Sequence, residues 1–112
     1  MKLSISIFIL LAVTEANAIT LEGVPSCDDW FKGRWMEKQN GGTYAPVDAD
    51  KYWLTQYLSG IASSSGIDFV YHSDTESFYR FVDTYCKKHP LDNLGDAGGA
   101  LASELIDKMK TN

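Results

Sequence analysis

The sequence predicts a small all-α domain of four helices, tied by one disulfide and preceded by a cleaved signal peptide. Three observations support this prediction. Apolar and aromatic residues recur at helical steps, capping residues and helix breakers divide those stretches, and two cysteines follow an apolar leader. A chain of 112 residues is long enough for one domain, which we place at residues 19–112.

Residues 1–18 have the form of a secretory signal peptide. A mainly apolar run over residues 3–13 is followed by a small-x-small cleavage site at Ala16 and Ala18. This run is too short to span a bilayer, so we expect no membrane span in the mature protein, which would begin at Ile19. A signal peptide implies export from the cytoplasm, either to the periplasm or out of the cell.

An exported chain meets an oxidising compartment, where its two cysteines, Cys27 and Cys86, are expected to pair. Closing the loop between them should stabilise the folded state by about 4 kcal/mol. That is a large share of the roughly 5–10 kcal/mol expected for a small domain, so the disulfide should be a condition of folding. A redox role is not indicated, because redox pairs are typically Cys-x-x-Cys. The alternative is an apolar N-terminal helix in a protein with two unpaired, buried thiols.

The formal net charge of the chain is −5 at pH 7. An acidic domain is a poor candidate for binding nucleic acid or an anionic membrane surface, so neither is an expected partner. In acid, protonation of the carboxylates and of both histidines makes the chain strongly positive and increases self-repulsion. Every acidic protein shares this reversal, so on its own it is weak evidence for an acid-triggered function.

The first predicted helix begins at Cys27 and ends near Gln39. Ser26 is its expected N-cap, and two aspartates follow in the first turn, where the helix dipole favours carboxylates. The Asn-Gly-Gly sequence at residues 40–42 is a strong helix breaker.

One side of this helix is aromatic and consists of Trp30, Phe31 and Trp35. Large aromatic side chains dominate small cores, so we expect this side to pack against the rest of the domain. The alternative interpretation is an exposed surface that binds a partner.

A loop at residues 43–47, which contains Pro46, is expected to lead to a second helix capped by Asp48. Apolar residues of this helix recur at three- and four-residue steps: Ala49, Trp53, Tyr57 and Ile61, flanked by Tyr52, Leu54 and Leu58. Small residues around Gly60 would let another helix approach closely. The serines at 63–65 lack a Gly-x-Ser-x-Gly context, so a catalytic serine is not expected.

Residues 66–73 are ambiguous between a short strand and a loop. An extended segment would suit the apolar residues, Ile67, Phe69, Val70 and Tyr71, but a lone strand has no sheet to join. We therefore predict a loop with buried apolar anchors. His72 stands alone in this segment, and the sequence contains no converging ligands spaced for a metal ion, so no metal site is predicted.

The third helix is expected to begin after Asp74 and to end before Pro90. Its apolar stripe consists of Phe78, Phe81, Val82 and Tyr85, with Cys86 beside it. A fourth helix would be capped by Asp92 or Asn93. Along one face of this helix lie Leu94, Ala97, Leu101 and Leu105. The same helix contains Gly95, Gly98 and Gly99. Interior glycines weaken a helix by about 1 kcal/mol each, although they can also permit close packing.

Several segments of the sequence resemble proteins of the HdeA/HdeB family. They are the Ser-Cys start of the first helix, the Trp-x-x-x-Tyr-Leu-Ser-Gly pattern at residues 53–60, the Tyr-Cys-x-x-x-Pro-Leu-x-x-Leu pattern at residues 85–94, and residues 97–105. Together they cover most of the expected mature chain. The resemblance implies a small helical periplasmic protein with one disulfide. The best-known members are acid-stress chaperones that lose a well-packed state at low pH, expose apolar surface and hold unfolding clients until neutralisation.

We therefore expect the protein to bind unfolding or acid-damaged proteins through apolar surface that is exposed at low pH. The glycine-containing fourth helix has the least intrinsic stability and would separate early from the third. The candidate client-binding residues are Phe78, Phe81, Val82 and Leu101. The sequence shows no catalytic triad, metal spacing or phosphate-binding loop, so neither an enzyme activity nor a cofactor is expected.

The alternative function is a periplasmic protein that binds one specific partner, such as an immunity protein against an amidase effector of a type VI secretion system. The His-Pro pair at residues 89–90, after an apolar helix, is reminiscent of that group. This function would use a specific protruding loop at neutral pH, for which residues 43–47 and 66–73 are the candidates. The sequence leaves open whether the chain forms a homodimer.

Overall fold

The computed structural model describes residues 23–71 and 73–111. These residues form four α-helices: α1 (Cys27–Gln39), α2 (Ala45–Ser65), α3 (Thr75–Lys88) and α4 (Leu94–Thr111). No strand occurs in this part of the chain, where an isolated bridge between Ser26 and Asn93 joins the approaches to α1 and α4. The predicted all-α fold is confirmed. The predicted signal peptide, its cleavage site and His72 lie outside the described residues.

Each helix packs against two others, so that α1, α2, α4 and α3 form a ring around one core. The predicted disulfide is present: Cys27 at the start of α1 is bonded to Cys86 near the end of α3, with the two Cα atoms 5.0 Å apart. Both cysteines are buried in the core. The core residues are Cys27, Trp30, Val47, Leu54, Leu58, Phe69, Phe78, Val82, Cys86, Leu94, Ala97, Leu101 and Ala102.

The starts of α1 and α3 follow the predicted capping residues. The Ser26 hydroxyl accepts a hydrogen bond of 3.0 Å from the backbone N–H of Asp29, and the Asp74 carboxylate accepts one of 3.3 Å from that of Glu76. Each cap satisfies a backbone donor that the first turn of a helix leaves unpaired. The predicted end of α1 at Gln39 is also confirmed.

The connection between α3 and α4 decides which of the two candidate residues caps α4. The Asn93 side chain accepts a hydrogen bond of 2.9 Å from the backbone N–H of Asp96, whose carboxylate accepts one of 3.1 Å from the backbone N–H of Asn93. This reciprocal arrangement is a capping box. The neighbouring Asp92 instead accepts a hydrogen bond of 2.6 Å from the hydroxyl of Tyr85 on α3.

The prediction that Asp48 caps α2 is wrong, because the helix begins at Ala45. Pro46 lies in its first turn, where the missing N–H of proline costs nothing and its fixed φ suits the helix. Tyr44 is the N-cap, and its carbonyl accepts hydrogen bonds of 3.1 Å from the N–H groups of Val47 and Asp48. Three of the five residues of the predicted loop at 43–47 are therefore helical.

The predicted apolar stripe of α2 is also displaced. Ala49 is exposed, and Trp53 is half-buried. The fully buried residues of α2 are Val47, Leu54 and Leu58. Because α2 packs against both α1 and α4, its buried face lies between these two helices. The aromatic side chains of the predicted stripe, Trp53 and Tyr57, lie beside that face and are half-buried.

Close helix packing occurs at two glycines, and neither of them is Gly60. A Cβ atom at Gly98 of α4 would lie 2.9 Å from the ring of Tyr57 on α2, and one at Gly33 of α1 would lie 2.8 Å from the Cβ of Val47. A Cβ atom at Gly60 would meet nothing within 4 Å. The predicted close approach at Gly60 is wrong, whereas the suggestion that glycines of α4 permit close packing is confirmed at Gly98.

The segment between α2 and α3 is a loop, as predicted. Gly66 ends α2 with a φ of 73°, a left-handed conformation that glycine adopts without strain. Phe69 is fully buried, and Ile67 and Val70 are packed against the core. Tyr71 is 81% exposed, so the prediction of a buried anchor is wrong at this residue. The described part of this segment is thus held in place by its apolar side chains.

Candidate functional site

The predicted client-binding residues belong to α3 and α4, which pack against each other. Phe78 and Val82 are fully buried and Leu101 is 3% exposed, whereas Phe81 is half-buried against the same core. The folded protein therefore covers three of these four side chains. A client could reach them only after the two helices have separated.

Four charged side chains join α1, α2 and α3, and we call them the ionic cluster: Arg34, Glu37, Lys51 and Asp83. The guanidinium of Arg34 donates two hydrogen bonds to Asp83, of 3.0 Å from Nε to Oδ1 and of 2.9 Å from Nη2 to Oδ2. Its Nη1 donates a third, of 2.9 Å, to Oε1 of Glu37. The other oxygen of Glu37, Oε2, accepts a hydrogen bond from Nζ of Lys51 on α2. The cluster thus bridges three helices.

Aromatic rings enclose the ionic cluster. The fully buried Trp30 donates a hydrogen bond of 2.8 Å from Nε1 to Oδ1 of Asp83. The Cζ atom of Arg34 lies 5.6 Å from the ring centroid of Trp30 and 5.8 Å from that of Tyr79. Nζ of Lys51 lies 4.9 Å from the centroid of the same Tyr79 ring. Both cations are therefore also placed for cation–π attraction.

The electrostatics of the ionic cluster favour its charged form. Hydrogen bonding to Asp83 raises the pKa of Arg34 above its usual value, against the opposing effect of burial, and the charges of Glu37 and Glu76 add to the increase. Glu37 is buried, and its carboxylate is held by two cations. Protonation of these carboxylates would leave Arg34 and Lys51 with no counter-charge in a poorly solvated position, which is strongly destabilising.

A second group of carboxylates lies between α1 and α2. Burial of Asp50, together with the charge of Asp29, raises the pKa of Asp50 from 3.8 to about 6. Both aspartates line a shallow groove that also contains Lys32 and Tyr44. Asp50 is thus the carboxyl group in this groove that takes up a proton most readily.

The expectation that the aromatic side of α1 packs against the core is wrong for two of its three residues. Trp30 is fully buried, but Phe31 is 59% exposed and Trp35 is 56% exposed. Phe31 and Trp35 are one helical turn apart, and we call them the aromatic ridge. The ridge lines two shallow grooves, one towards Tyr44 and the other towards α3. For these two side chains the structure matches the exposure that the alternative interpretation required.

The two loops proposed for a specific partner have different outcomes. Residues 45–47 belong to α2, so only residues 43 and 44 of the first candidate remain in the loop between α1 and α2. The second loop remains, and its Tyr71 is 81% exposed. A groove of about 500 Å³ adjoins this loop and is lined by Ser59, Ala62, Ser63, Gly66, Asp68, Val70 and Tyr71.

The described parts of the chain are residues 23–71 and 73–111. These residues contain no group of three or more His, Cys, Asp or Glu side chains that could hold a metal ion. None of the helices formed by them is long and apolar enough to cross a membrane.

The ionic cluster was not predicted from the sequence. Its one local signal is the spacing of Arg34 and Glu37, which places the two side chains on one face of a helix. The contributions of Lys51 and Asp83 depend on how α2 and α3 are rotated about their axes. That rotation is set by tertiary packing and cannot be read from the spacing of residues within one helix.

Comparisons with family models, with curated proteins and with solved structures found no match. The residues that resemble the HdeA/HdeB family have clear packing roles in this structure. The rings of Trp53 and Tyr57 are stacked with their centroids 5.1 Å apart, and Tyr57 packs against Gly98. The hydrogen bond to Asp92 raises the pKa of Tyr85 to about 12.

Proposed function

We propose that this protein is a periplasmic acid-stress chaperone that holds unfolding clients on apolar surface exposed at low pH. The observation that carries the proposal is the ionic cluster, in which carboxylates hold Arg34 and Lys51 between the helices. Carboxylates become protonated below about pH 4. Loss of charge from the carboxylates that hold Arg34 and Lys51 would leave these cations without counter-charges while the whole chain becomes positive, so acid weakens the contacts that join α1 to α2 and α3.

Acid also acts on the connection between α3 and α4. The charged carboxylate of Asp92 accepts the hydrogen bond from Tyr85, and that of Asp96 completes the capping box with Asn93. Hydrogen bonds to a charged acceptor are roughly twice as strong as those between neutral groups, so protonation weakens both contacts. The glycines of α4 lower its intrinsic stability further. Separation of α4 then uncovers the candidate client-binding residues.

The disulfide supports this function by limiting how far the chain can open. It joins Cys27 of α1 to Cys86 of α3, and its bond does not depend on pH over the acid range. The opened protein therefore keeps α1 and α3 together. Its high positive charge in acid favours solubility while apolar surface is exposed.

The test is the binding of a dye that fluoresces on apolar surface, measured at about pH 3 and at pH 7. Leu101→Asp is the test variant and Leu91→Asp the matched control, since Leu101 is 3% exposed and Leu91 is 99% exposed. Aspartate is largely neutral at about pH 3, so both changes mainly remove apolar surface. Leu101→Ala provides a version without a new titratable group.

We expect dye binding by the native protein to rise in acid. The rise should be smaller for both Leu101 variants and unchanged for Leu91→Asp. A native protein that binds no more dye at about pH 3 than at pH 7 would contradict the proposal.

A second candidate function is the binding of one specific partner at neutral pH, as an immunity protein against a type VI amidase effector would do. The observation that favours it is the aromatic ridge, because exposed Phe31 and Trp35 do not require acid to become accessible. Photo-cross-linkers placed at exposed positions, in the exporting host at pH 7, distinguish the two functions. One dominant partner supports this candidate, and the lack of any dominant partner contradicts it.

A further inference from the structure

We propose that the groove between the aromatic ridge and α3 binds an acidic segment of another protein, one that carries an apolar anchor side chain. This inference rests on the second candidate function and specifies the chemistry of its partner. The groove has a volume of about 540 Å³. Three aromatic side chains of α1, four cationic side chains and two carboxylates line it.

The apolar part of the groove is suited to an anchor residue. Phe31 and Trp35 lie one turn apart on α1 and are each more than half exposed, although both are large and apolar. Trp30 forms the inner wall and is fully buried. Side chains of Trp and other aromatic residues supply much of the binding energy at protein interfaces, where they surround a partner's apolar anchor.

The charged part of the groove identifies the partner as acidic. Lys38, Arg80 and Lys87 line it, and none of them forms an ion pair with any residue that the structure describes. The two carboxylates in the groove, Glu76 and Asp83, are both held by Arg34. Three cations are thus available to a ligand in a protein whose net charge is −5. Carboxylates of a partner would form ion pairs with these three cations.

The same charges disfavour the other occupants of such a surface. A symmetric homodimer with this groove on its two-fold axis would bring the cationic grooves of both copies together, and their like charges would repel. An anionic lipid surface or a nucleic acid would contact more than the groove, and the rest of this acidic protein would be repelled by it. A single acidic segment avoids both costs because it contacts the groove alone.

The probes are three short synthetic peptides of equal length. One alternates glutamate with leucine and tryptophan, the second has lysine in place of glutamate, and the third has serine in place of the apolar residues. Binding to the ¹⁵N-labelled protein is followed at pH 7 by the shifts of its amide NMR signals. We expect the first peptide to bind most tightly and to shift the signals of Phe31, Trp35 and Arg80.

Two pairs of variants test the assignment of the groove. Arg80→Glu with Lys87→Glu removes groove cations, and its control, Lys88→Glu with Lys110→Glu, makes the same change of net charge outside the groove. Trp35→Ser shortens the ridge, and its control is Tyr52→Ser, since Tyr52 is an aromatic residue of α2 that is 68% exposed. We expect each groove variant to weaken binding of the acidic peptide about tenfold, and each control to stay within about twofold.

Four results would overturn the inference. In the first, the basic peptide binds as tightly as the acidic one, and in the second, the control variants lose as much affinity as the groove variants. In the third, the signal shifts follow protein concentration without any peptide, and in the fourth, the groove binds anionic phosphatidylglycerol vesicles in place of the acidic peptide. Cross-linking in the host separates this inference from the function on which it rests. A dominant partner captured through position 52 and not through position 35 contradicts the groove while leaving the second candidate in place. If neither position captures a dominant partner, the groove and the second candidate function are both contradicted.

Discussion

Arg34 on α1 holds Asp83 on α3 through two parallel hydrogen bonds, of 3.0 Å from Nε to Oδ1 and of 2.9 Å from Nη2 to Oδ2. The two residues are 49 positions apart in the sequence. A bidentate pair of this kind restricts both distance and orientation, so it helps to hold the two helices in the relative orientation that packing gives them. The same guanidinium holds Glu37, which also binds Lys51 of α2. One corner of the bundle is therefore oriented by charged groups in addition to apolar packing.

Asp83→Asn should lower the free energy of unfolding by about 2–3 kcal/mol at pH 7, because Arg34 keeps its charge while its partner loses one. The asparagine also turns one acceptor oxygen into a donor that faces Arg34 or Trp30. Urea unfolding measures the loss. The matched control is Asp107→Asn, an exposed position on α4 that should change stability by less than about 0.5 kcal/mol. Equal stabilities of the two variants would contradict a structural role for the ionic cluster.

Cys86→Ser should lower the free energy of unfolding by about 2–5 kcal/mol, since it releases the loop that the disulfide closes. Cys27→Ser removes the same bond and should give a similar loss, which makes each variant a control for the other. Thiol labelling of the protein without substitutions, unfolded in the absence of a reductant, checks that the disulfide is present. We expect no reactive thiol, and two reactive thiols per chain would contradict the disulfide.

Two glycine-to-alanine changes in helices should have opposite effects. Gly98→Ala places a Cβ atom 2.9 Å from the ring of Tyr57, so we expect a loss of about 1–3 kcal/mol from overpacking. Gly60→Ala meets nothing within 4 Å and should gain about 0.5–1 kcal/mol from helix propensity. Thermal unfolding compares the two. Stabilisation of the protein by Gly98→Ala would show that α2 and α4 are not closely packed at this point.

The contribution of Asp50 to stability should change with pH in the direction opposite to that of the ionic cluster. Its pKa is raised from 3.8 to about 6 in the folded protein, by burial and by the charge of Asp29. The folded state therefore binds this proton more tightly than the unfolded state does. Ionisation of Asp50 lowers stability as the pH rises from about 4 to about 6, and the loss is fully present at pH 7. Acid restores this contribution, so the expected loss of stability in acid must come from other carboxylates.

Asp50→Asn should accordingly stabilise the protein at pH 7 by about 1 kcal/mol, a value reduced for solvent screening of a partly exposed group. Most of the gain should disappear at about pH 4, where the native carboxyl is almost fully protonated in the folded state and about half protonated in the unfolded state. Urea unfolding at the two pH values measures it, with Asp107→Asn as the control. The same gain at both pH values would show that packing, and not ionisation, is responsible.

The features that the sequence alone predicts correctly depend on local chemistry or, for the disulfide, on there being a single possible pair of cysteines. Ser26 and Asp74 cap helices because each side chain reaches a backbone N–H two or three residues further on. Pairing of Cys27 with Cys86 followed from the number of cysteines and the expected compartment. The start of α2 was misplaced because two local signals compete there, and Pro46 in the first turn outweighs Asp48 as a cap.

The features that could not be predicted depend on the arrangement of whole helices. Residues on neighbouring faces of α1 are equally apolar in sequence, so nothing local shows that Trp30 is buried and Trp35 is exposed. The ionic cluster requires α1, α2 and α3 in one relative rotation before Glu37 can meet Lys51. Both candidate sites, the aromatic ridge and the ionic cluster, are therefore products of tertiary structure.

The most direct measurement of the central claim is suppression of client aggregation by the native protein. A client that unfolds in acid is brought to about pH 3 with and without the protein, and light scattering is followed there and after return to pH 7. We predict less scattering in acid when the protein is present and no suppression when the same client is unfolded by heat at pH 7. A native protein that stays compact at about pH 3 and leaves the scattering of the client unchanged would contradict the chaperone proposal.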